Sequence, residues 1–353
     1  MTTTLEDSAT RTALAGAIAR SIGAAGVTIT AATKLAGGAV QENWRLDVTV
    51  EGGPRTGAHT WVVRTDANAR IPLSLDRETE AKVLVAAHAA GVKVAEPIAI
   101  AGADITLAKP CVVQNWIQGS AQARRIVRDP QLPEYGPALA CELANELARI
   151  HAIAPPSQEL AALPLPLLPP ARAEIARLRA ALTKAGDPRP ALEYILYWLD
   201  QHAPPARPLT LVHGDFRTGN YMVRDGRLTG ILDWEFAHWG DPDEDIGWLT
   251  ARCWRFGNDA LETGGIATLA TFLDAYTSAS GRHIHPEAIR YWQIMAAAKW
   301  ATIAVLQGDR FRLRGEARLE LALTGLMPAE MEHDALIDIL AWGRAPKGGP
   351  KWQ

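Results

Sequence analysis

Residues 209–249 read LTLVHGDFRTGNYMVRDGRLTGILDWEFAHWGDPDEDIGWL, and the fold is decided there. Leu209 to Val212 is a short apolar run, so His213-Gly214-Asp215 sets a carboxylate where a buried strand opens into a loop. Asn220 follows five residues later. Tyr221 to Val223 and Leu228 to Leu232 read as two short strands around the turn Asp225-Gly226, and the second ends on Asp233. Such a hairpin brings its two ends together, which predicts that Asp215, Asn220 and Asp233 share one small volume. An all-oxygen set of this kind suits Mg²⁺, which keeps several waters and takes one or two carboxylates besides substrate phosphates. A lone Asp after His-Gly is ordinarily a turn residue bonding its own backbone; three such groups in these strand contexts argue for a site. His213 reads as a packing residue. Asp241 and Asp245 open a helix, where capping and the helix dipole account for carboxylates.

HGDFRTGN, followed by ILDWE and GDPDED, resembles the aminoglycoside phosphotransferase family of the protein kinase-like fold, and also the kinase-like half of long acyl-CoA dehydrogenase fusion proteins. Protein kinases carry the related loop H-R-D-L-x-x-x-N and the metal motif D-F-G. Here the His, Asp and Asn keep those intervals, but Gly214 stands for the Arg, and Trp234-Glu235 follows the metal Asp. The small-molecule branch is the better match. The resemblance implies Asp215 as the base that orients and deprotonates a substrate hydroxyl, with Asn220 and Asp233 on Mg²⁺. It also implies a tie from Asp241 and Asp245 to the catalytic loop, and a supporting position for Glu235.

The whole chain is compatible with this reading. Its 353 residues allow two lobes with separate cores. A hydrophobic content of 48% and a charged content of 21% are those of a soluble globular protein. The formal net charge of −3 gives no electrostatic case for nucleic acid or an anionic membrane. Cys111, Cys141 and Cys253 are odd in number and lie in apolar surroundings, as in reduced core positions of a cytoplasmic protein. Glu6, Asp7 and Arg20 frame an Ala-rich N-terminal run that is neither a signal peptide nor a membrane span.

Leu14, Ile18 and Ile22 are spaced as one helical face within residues 8–25. Val27 to Thr30 and Trp44 to Val50 are β-branched, alternating stretches around a glycine-bearing loop. In that loop Gly37 and Gly38 let backbone N–H groups approach nucleotide phosphates, although paired glycines also make plain hairpin turns. The family often has a hydroxyl residue where this chain has Val40. The third strand, His59 to Arg64, sets Arg64 where kinases place the lysine that pairs with the α- and β-phosphates. Arginine there matches the dehydrogenase-fused branch, and its bidentate fork suits the task. Leu75 to Ala90 reads as a helix in which Glu80 matches the carboxylate paired with the strand cation, with Glu78 as rival. Gln114, Asn115 and Trp116, after the apolar run from Pro110, fall at the hinge whose backbone hydrogen-bonds adenine in this fold.

From about residue 120 the chain turns helical. Leu139, Leu143, Leu147 and Ile150 recur every three or four residues, and His151 closes that helix as a packing histidine. Six prolines in residues 154–170 exclude regular structure there. Further helices are predicted over 171–182, 191–202, 266–278, 286–306, 316–324 and 329–342. Trp292 and Trp300, eight apart, read as core. Residues 250–320 carry nine Lys or Arg against seven Asp or Glu, so that region is not the acidic surface a polycationic antibiotic needs. The run Asp309 to Arg314 concentrates positive charge, which reads either as a solvated charged face or as a group that would suit an anionic acceptor.

The expected fold is therefore a bilobed α+β kinase-like one, with a nucleotide-binding sheet lobe over 1–115 and a helical lobe over 116–353 that holds the catalytic loop and acceptor site. The expected activity is transfer of the γ-phosphoryl of Mg²⁺-bound ATP or GTP to a small-molecule hydroxyl, with a hydroxyacid or hydroxyacyl-CoA as the leading acceptor. Alternatives are an aminoglycoside O-phosphotransferase, an inactive nucleotide-binding regulator, or a metal-dependent phosphohydrolase. Neither nucleic acid nor a membrane is an expected partner, and oligomeric state is open.

Overall fold

A computed structural model describes residues 5–35, 41–66, 74–101 and 110–342. The chain divides into two compact units, and the division is not one cut in sequence. The first takes residues 1–120, 156–163 and 221–237; the second takes 121–155, 164–220 and 238–353.

The first unit opens with helix α1 (Ser8–Ile22), capped by the Asp7 carboxylate on the Thr10 N–H at 2.8 Å and ended by Gly23 at φ 64°. A five-stranded antiparallel sheet follows, made of β1 (Gly26–Lys34), β2 (Gln41–Glu51), β3 (Gly57–Asp66), β4 (Pro97–Ala101) and β5 (Cys111–Asn115), with spatial order β1-β2-β3-β5-β4. Trp44, Leu46, Val48 and Val50 alternate along β2 and are all buried with Trp61 and Val63 of β3 and with Leu14 and Ile18 of α1. Period-two alternation thus commits one sheet face to α1. Arg64, the residue after Val63, points to the other face. There it meets helix α2 (Arg77–Ala89), whose first turn is held by Asp76 accepting from the Thr79 N–H at 2.9 Å.

The motif-bearing stretch is shared between the units. In chain order it forms β6 (Thr210–Val212), β7 (Tyr221–Arg224), β8 (Arg227–Ile231) and β9 (His238–Gly240). The predicted hairpin of β7 and β8 belongs to the first unit, with Asp225 at φ 50° and Gly226 at φ 72° as its two-residue turn. The second unit keeps β6 paired with β9.

Helices α3 (Ala123–Val127), α4 (Leu132–Ile150), α5 (Pro170–Ala185), α6 (Pro190–Gln201), α7 (Pro242–Thr250), α8 (Leu269–Ser280), α9 (Pro286–Arg314), α10 (Leu319–Thr324) and α11 (Pro328–Ala341) complete the second unit. Its core gathers Leu178, Leu192, Ile195, Leu199, Trp292, Met295, Ala298 and Ala335 around α9. Trp292 is a core residue, as expected, and Trp300 packs against the same cluster. The central helix α9 runs eight residues further than its apolar pattern predicts. The charged run continues the helix because Arg310 bonds Gln307 and Arg312 bonds Asp309 one turn back. Where α7 crosses α9, a Cβ on Gly247 would stand 2.3 Å from the Trp292 Cβ, so only glycine allows the approach that sets Trp248 in place. Among the described residues no helix is long and apolar enough to cross a membrane. Burial pushes the Cys111 thiol up to about 11 and the Cys253 thiol up to about 12, as for unreactive core thiols.

Candidate active site

In the first unit the register of β3 and the first turn of α2 bring Arg64 and Glu80 together. Arg64 Nη1 lies 3.3 Å from Glu80 Oε1, with both side chains largely buried. Glu78, the rival, is exposed and pairs with Lys82. The other Arg64 nitrogen, Nη2, donates to Asp233 Oδ1 at 3.1 Å. One planar fork thus binds a helix carboxylate and the carboxylate two residues past the end of β8, a geometry that a lysine ammonium does not reproduce. Burial works against the Arg64 charge, but Glu80, Asp233 and Glu235 outweigh it and hold the guanidinium above its usual range. Arg77 forms a second, buried ion pair with Glu80. Asp233 itself sits at φ 67°, a left-handed conformation that Asp tolerates better than most residues and that turns its side chain out of the strand direction. Glu235 is buried beside it, and its carbonyl accepts from the Leu75 N–H at 2.7 Å.

In the second unit β6 delivers the His213-Gly214-Asp215 loop. Asp215 is buried, and every carboxylate lone-pair region but one is directed. Trp248 Nε1 of α7 donates to Oδ1 at 2.7 Å and Arg217 Nε donates to the same oxygen at 3.0 Å. Asn220 Nδ2 donates to Oδ2 at 2.5 Å and to the Asp215 carbonyl at 3.0 Å. The carboxylate is therefore fixed in plane, with Oδ2 as the oxygen that retains capacity for a substrate proton. Because its amide nitrogen faces Asp215, the Asn220 carbonyl oxygen is turned away from that carboxylate, an oxygen of the type a hard cation takes.

The loop backbone is held from behind by Asp245. Its Oδ2 accepts from the His213 N–H at 2.7 Å and its Oδ1 from the Gly214 N–H at 2.9 Å. His151 Nε2 reaches Oδ2 at 3.1 Å, and the Tyr276 hydroxyl lies 2.7 Å from the other ring nitrogen, so His151 is the satisfied packing histidine its sequence context predicts. Burial opposes the Asp245 charge, yet hydrogen bonding and attraction from His151 and His213 hold its carboxyl below the usual range. His213 is fully buried and its Nδ1 accepts from the Asp215 N–H at 3.2 Å, in keeping with a packing role. Asp241 caps α7 by accepting from the Asp243 N–H at 2.9 Å. Burial and the Asp243 charge push Asp241 up to about 7; burial pushes Asp243 up to about 6 against the Arg207 guanidinium 2.9 Å away.

Sequence reasoning missed Lys299. Its ammonium, buried on α9, donates to the Gly214 carbonyl at 2.9 Å and to Glu244 Oε1 at 3.1 Å, and lies 4.8 Å from the centre of the Trp248 ring. Burial would raise Glu244, but His238 and Lys299 hold it well below its ordinary range. Trp248, Arg217 and Arg77 were likewise unmarked. HGDFR displays Arg217 openly, so its nearness to Asp215 is the signal that was available.

Other expected site residues fall as follows. Gly37 and Gly38, with Val40, lie outside the described residues. Gln114 is buried in β5. The Asn115 N–H donates to the Glu96 carbonyl at 2.9 Å and the Trp116 N–H to the Thr60 carbonyl at 3.1 Å, so neither backbone donor is left for a nucleotide base. Asn115 Nδ2 also bonds Glu96 Oε2 at 2.6 Å. The cationic run at 309–314 favours the plainer of its two readings: Arg310 is buried against Glu316 and the half-exposed Arg312 pairs with Asp309, so local carboxylates engage two of its three cations.

An antiparallel sheet carrying a buried Arg–Glu pair, joined to a helical unit carrying His-Gly-Asp-x₄-Asn, defines a kinase-like phosphotransferase. The chain belongs to the phosphotransferase enzyme family, whose profile matches residues 31–292. Among curated proteins it is 28% identical to mouse (Mus musculus) acyl-CoA dehydrogenase family member 10 over 295 residues, which cover 77% of this chain and 26% of that protein. It is 29% identical to chicken (Gallus gallus) acyl-CoA dehydrogenase family member 11 over 206 residues, 55% of this chain and 25% of that protein. The chain thus spans about a quarter of the length of these relatives. Among solved structures, a Ralstonia eutropha JMP134 protein provisionally named an aminoglycoside phosphotransferase superposes with a TM-score of 0.71 at 20% identity, covering 92% of this chain and 97% of the other. A thermostable variant of aminoglycoside phosphotransferase APH(4)-Ia, in ternary complex with ADP and hygromycin B, gives 0.61 at 15% identity, covering 94% and 99%. These two likenesses concern the fold.

Proposed function

We propose that the protein transfers the γ-phosphoryl of a nucleoside triphosphate to a hydroxyl of a small hydroxyacid or hydroxyacyl thioester. The observation that carries this reading is the Asp215 carboxylate, buried and fixed by Trp248, Arg217 and Asn220 with Oδ2 left to take a proton. Asp215 orients the acceptor hydroxyl and receives its proton as the oxygen attacks the γ-phosphorus. Arg64, kept in place by Glu80, faces the α- and β-phosphates. Asn220 and Asp233 each offer an oxygen that would suit Mg²⁺, a cation that takes few protein ligands besides substrate phosphates and water. Such an ion would supply neutralisation of the charge on the transferring phosphates. One amide and one carboxylate are a thin ligand set for a phosphohydrolase, and the ordered base favours turnover over a purely regulatory role.

Two measurements test the reading. ADP release from Mg-ATP should rise above background with a hydroxyacid or hydroxyacyl thioester and stay at background with kanamycin-type aminoglycosides; efficient, saturable phosphorylation of an aminoglycoside would reverse the acceptor assignment. Asp233→Asn should weaken Mg²⁺-dependent nucleotide binding roughly 10- to 100-fold, the loss expected for one charge-assisted contact. If calorimetric titration shows neither the affinity nor its Mg²⁺ dependence moving, Asp233 is not the metal ligand.

A further inference from the structure

We infer that Arg217 is a specificity-determining residue that selects acceptors bearing an anionic group close to the reacting hydroxyl; this deepens the phosphotransfer reading and rests on it. The Arg217 side chain is built into the loop rather than tethered loosely over it. Its Nε donates to Asp215 Oδ1 at 3.0 Å, its Nη1 donates to the Thr218 carbonyl at 3.3 Å, and its flat face lies 4.3 Å from the centre of the Trp254 ring. A Cβ on Gly219, which sits at φ 113°, would stand 2.8 Å from Nη1, so the glycine leaves the room that the guanidinium occupies. Arg217 makes no other hydrogen bond among the described residues, and its side chain keeps 24% of its surface accessible.

A guanidinium has five N–H donors and can satisfy them only by several acceptors in its plane. Asp215 and Thr218 take one donor each, which leaves the Nη2 amide-like edge and part of Nη1 for a ligand. These donors flank the carboxylate that takes the acceptor's proton. A molecule that presents a hydroxyl to Asp215 Oδ2 therefore brings whatever lies two to four bonds away towards a fixed, partly desolvated cation. A carboxylate or phosphate there gains a charge-assisted, bidentate contact, whereas an ammonium group meets like charge. The chemical class is a small hydroxy carboxylate, or a hydroxylated phosphate ester, rather than an amino sugar. In the reaction the acceptor oxygen bonds to the γ-phosphorus and the bond from that phosphorus to the β–γ bridging oxygen breaks. ADP leaves with the electron pair, and the hydroxyl proton passes to Asp215.

The test uses 2-, 3- and 4-hydroxy short-chain carboxylates, each paired with its neutral amide, and reads kcat/KM for ADP release from Mg-ATP with the wild-type chain, Arg217→Gln and Arg217→Lys. The wild type should favour at least one carboxylate over its amide by roughly 10- to 100-fold, the size of one charge-assisted contact. Arg217→Gln should bring that ratio close to one, and Arg217→Lys should keep part of it. The ratio is taken within one protein sample, so partial misfolding of a variant does not alter it. If Arg217 only steadies Asp215, both members of each pair fall by the same factor in Arg217→Gln and the ratio stands, which overturns the inference. Preference for the amides overturns it too. No ADP release with any probe, while Mg-ATP still binds, overturns the phosphotransfer reading itself.

Discussion

Asp215→Asn is expected to lower phosphoryl transfer by about 10²–10⁴-fold, the range of a lost general base, while Mg-nucleotide binding falls much less. The amide keeps the size of the carboxylate but not its bonding. Oδ1 receives two donors, from Trp248 and Arg217, so the new carbonyl oxygen must take that side. The new NH₂ then faces Asn220 Nδ2, 2.5 Å from the present Oδ2. Two donors cannot share that contact, and Asn220 must turn its own oxygen towards residue 215. The variant thus loses the proton acceptor and redirects the oxygen assigned to Mg²⁺. Stopped-flow or coupled-assay turnover, read beside calorimetric nucleotide affinity, separates the two effects. Full turnover by Asp215→Asn would remove the base assignment.

Lys299→Met should cost about 3–5 kcal/mol of stability, the range for removing one partner of a buried ion pair. The methionine fills most of the volume but leaves Glu244 with His238, at 3.1 Å, as its one side-chain hydrogen-bond partner among the described residues, and takes the Lys299 donor from the Gly214 carbonyl. A second change, Glu244→Met, should recover a good part of the loss, because the uncompensated charge is then gone. Urea midpoints for the two single variants and the double variant measure this directly. A shift under about 1 kcal/mol in Lys299→Met would show that the ammonium is dispensable to the second unit.

What was legible in the sequence follows from how local the physics is. The β7–β8 hairpin was readable because turn chemistry and alternation act over a few residues, and Asp225-Gly226 takes the left-handed pair of angles that such a turn demands. Glu80 was reached through the family resemblance, with Glu78 left as rival; the Asp76 cap fixes the phase of α2, which turns position 80 inward and position 78 outward. By contrast, Lys299 reaches Gly214 across 85 positions of sequence, and a single lysine on an otherwise apolar helix carries no periodic mark of its partner. Trp248 read only as an aromatic near the end of a short helix; its indole N–H becomes a ligand for Asp215 because Gly247 lets α7 close on α9. The charged end of α9 was misjudged for a related reason. Apolar period marks a buried face, whereas Arg310 and Arg312 extend the helix through polar pairs that leave no such period.

The sharing of residues 209–249 between units bears on whether this protein can be dissected. The chain leaves the second unit after Asn220, builds the β7–β8 hairpin in the first, and returns at His238. A fragment that stops at residue 120 would lack Asp233, the partner of Arg64, and Ile231, whose N–H donates to the Lys93 carbonyl at 2.7 Å. Its complement would carry a two-stranded ribbon that is marginal in water by itself. Split-protein complementation at the apparent lobe boundary should therefore yield no pair of autonomously folding halves. A circular permutant opened in an exposed turn such as Asp225-Gly226 would interrupt the same shared ribbon. A permissive opening is better sought in the proline-bearing connection near Leu167, which is fully exposed.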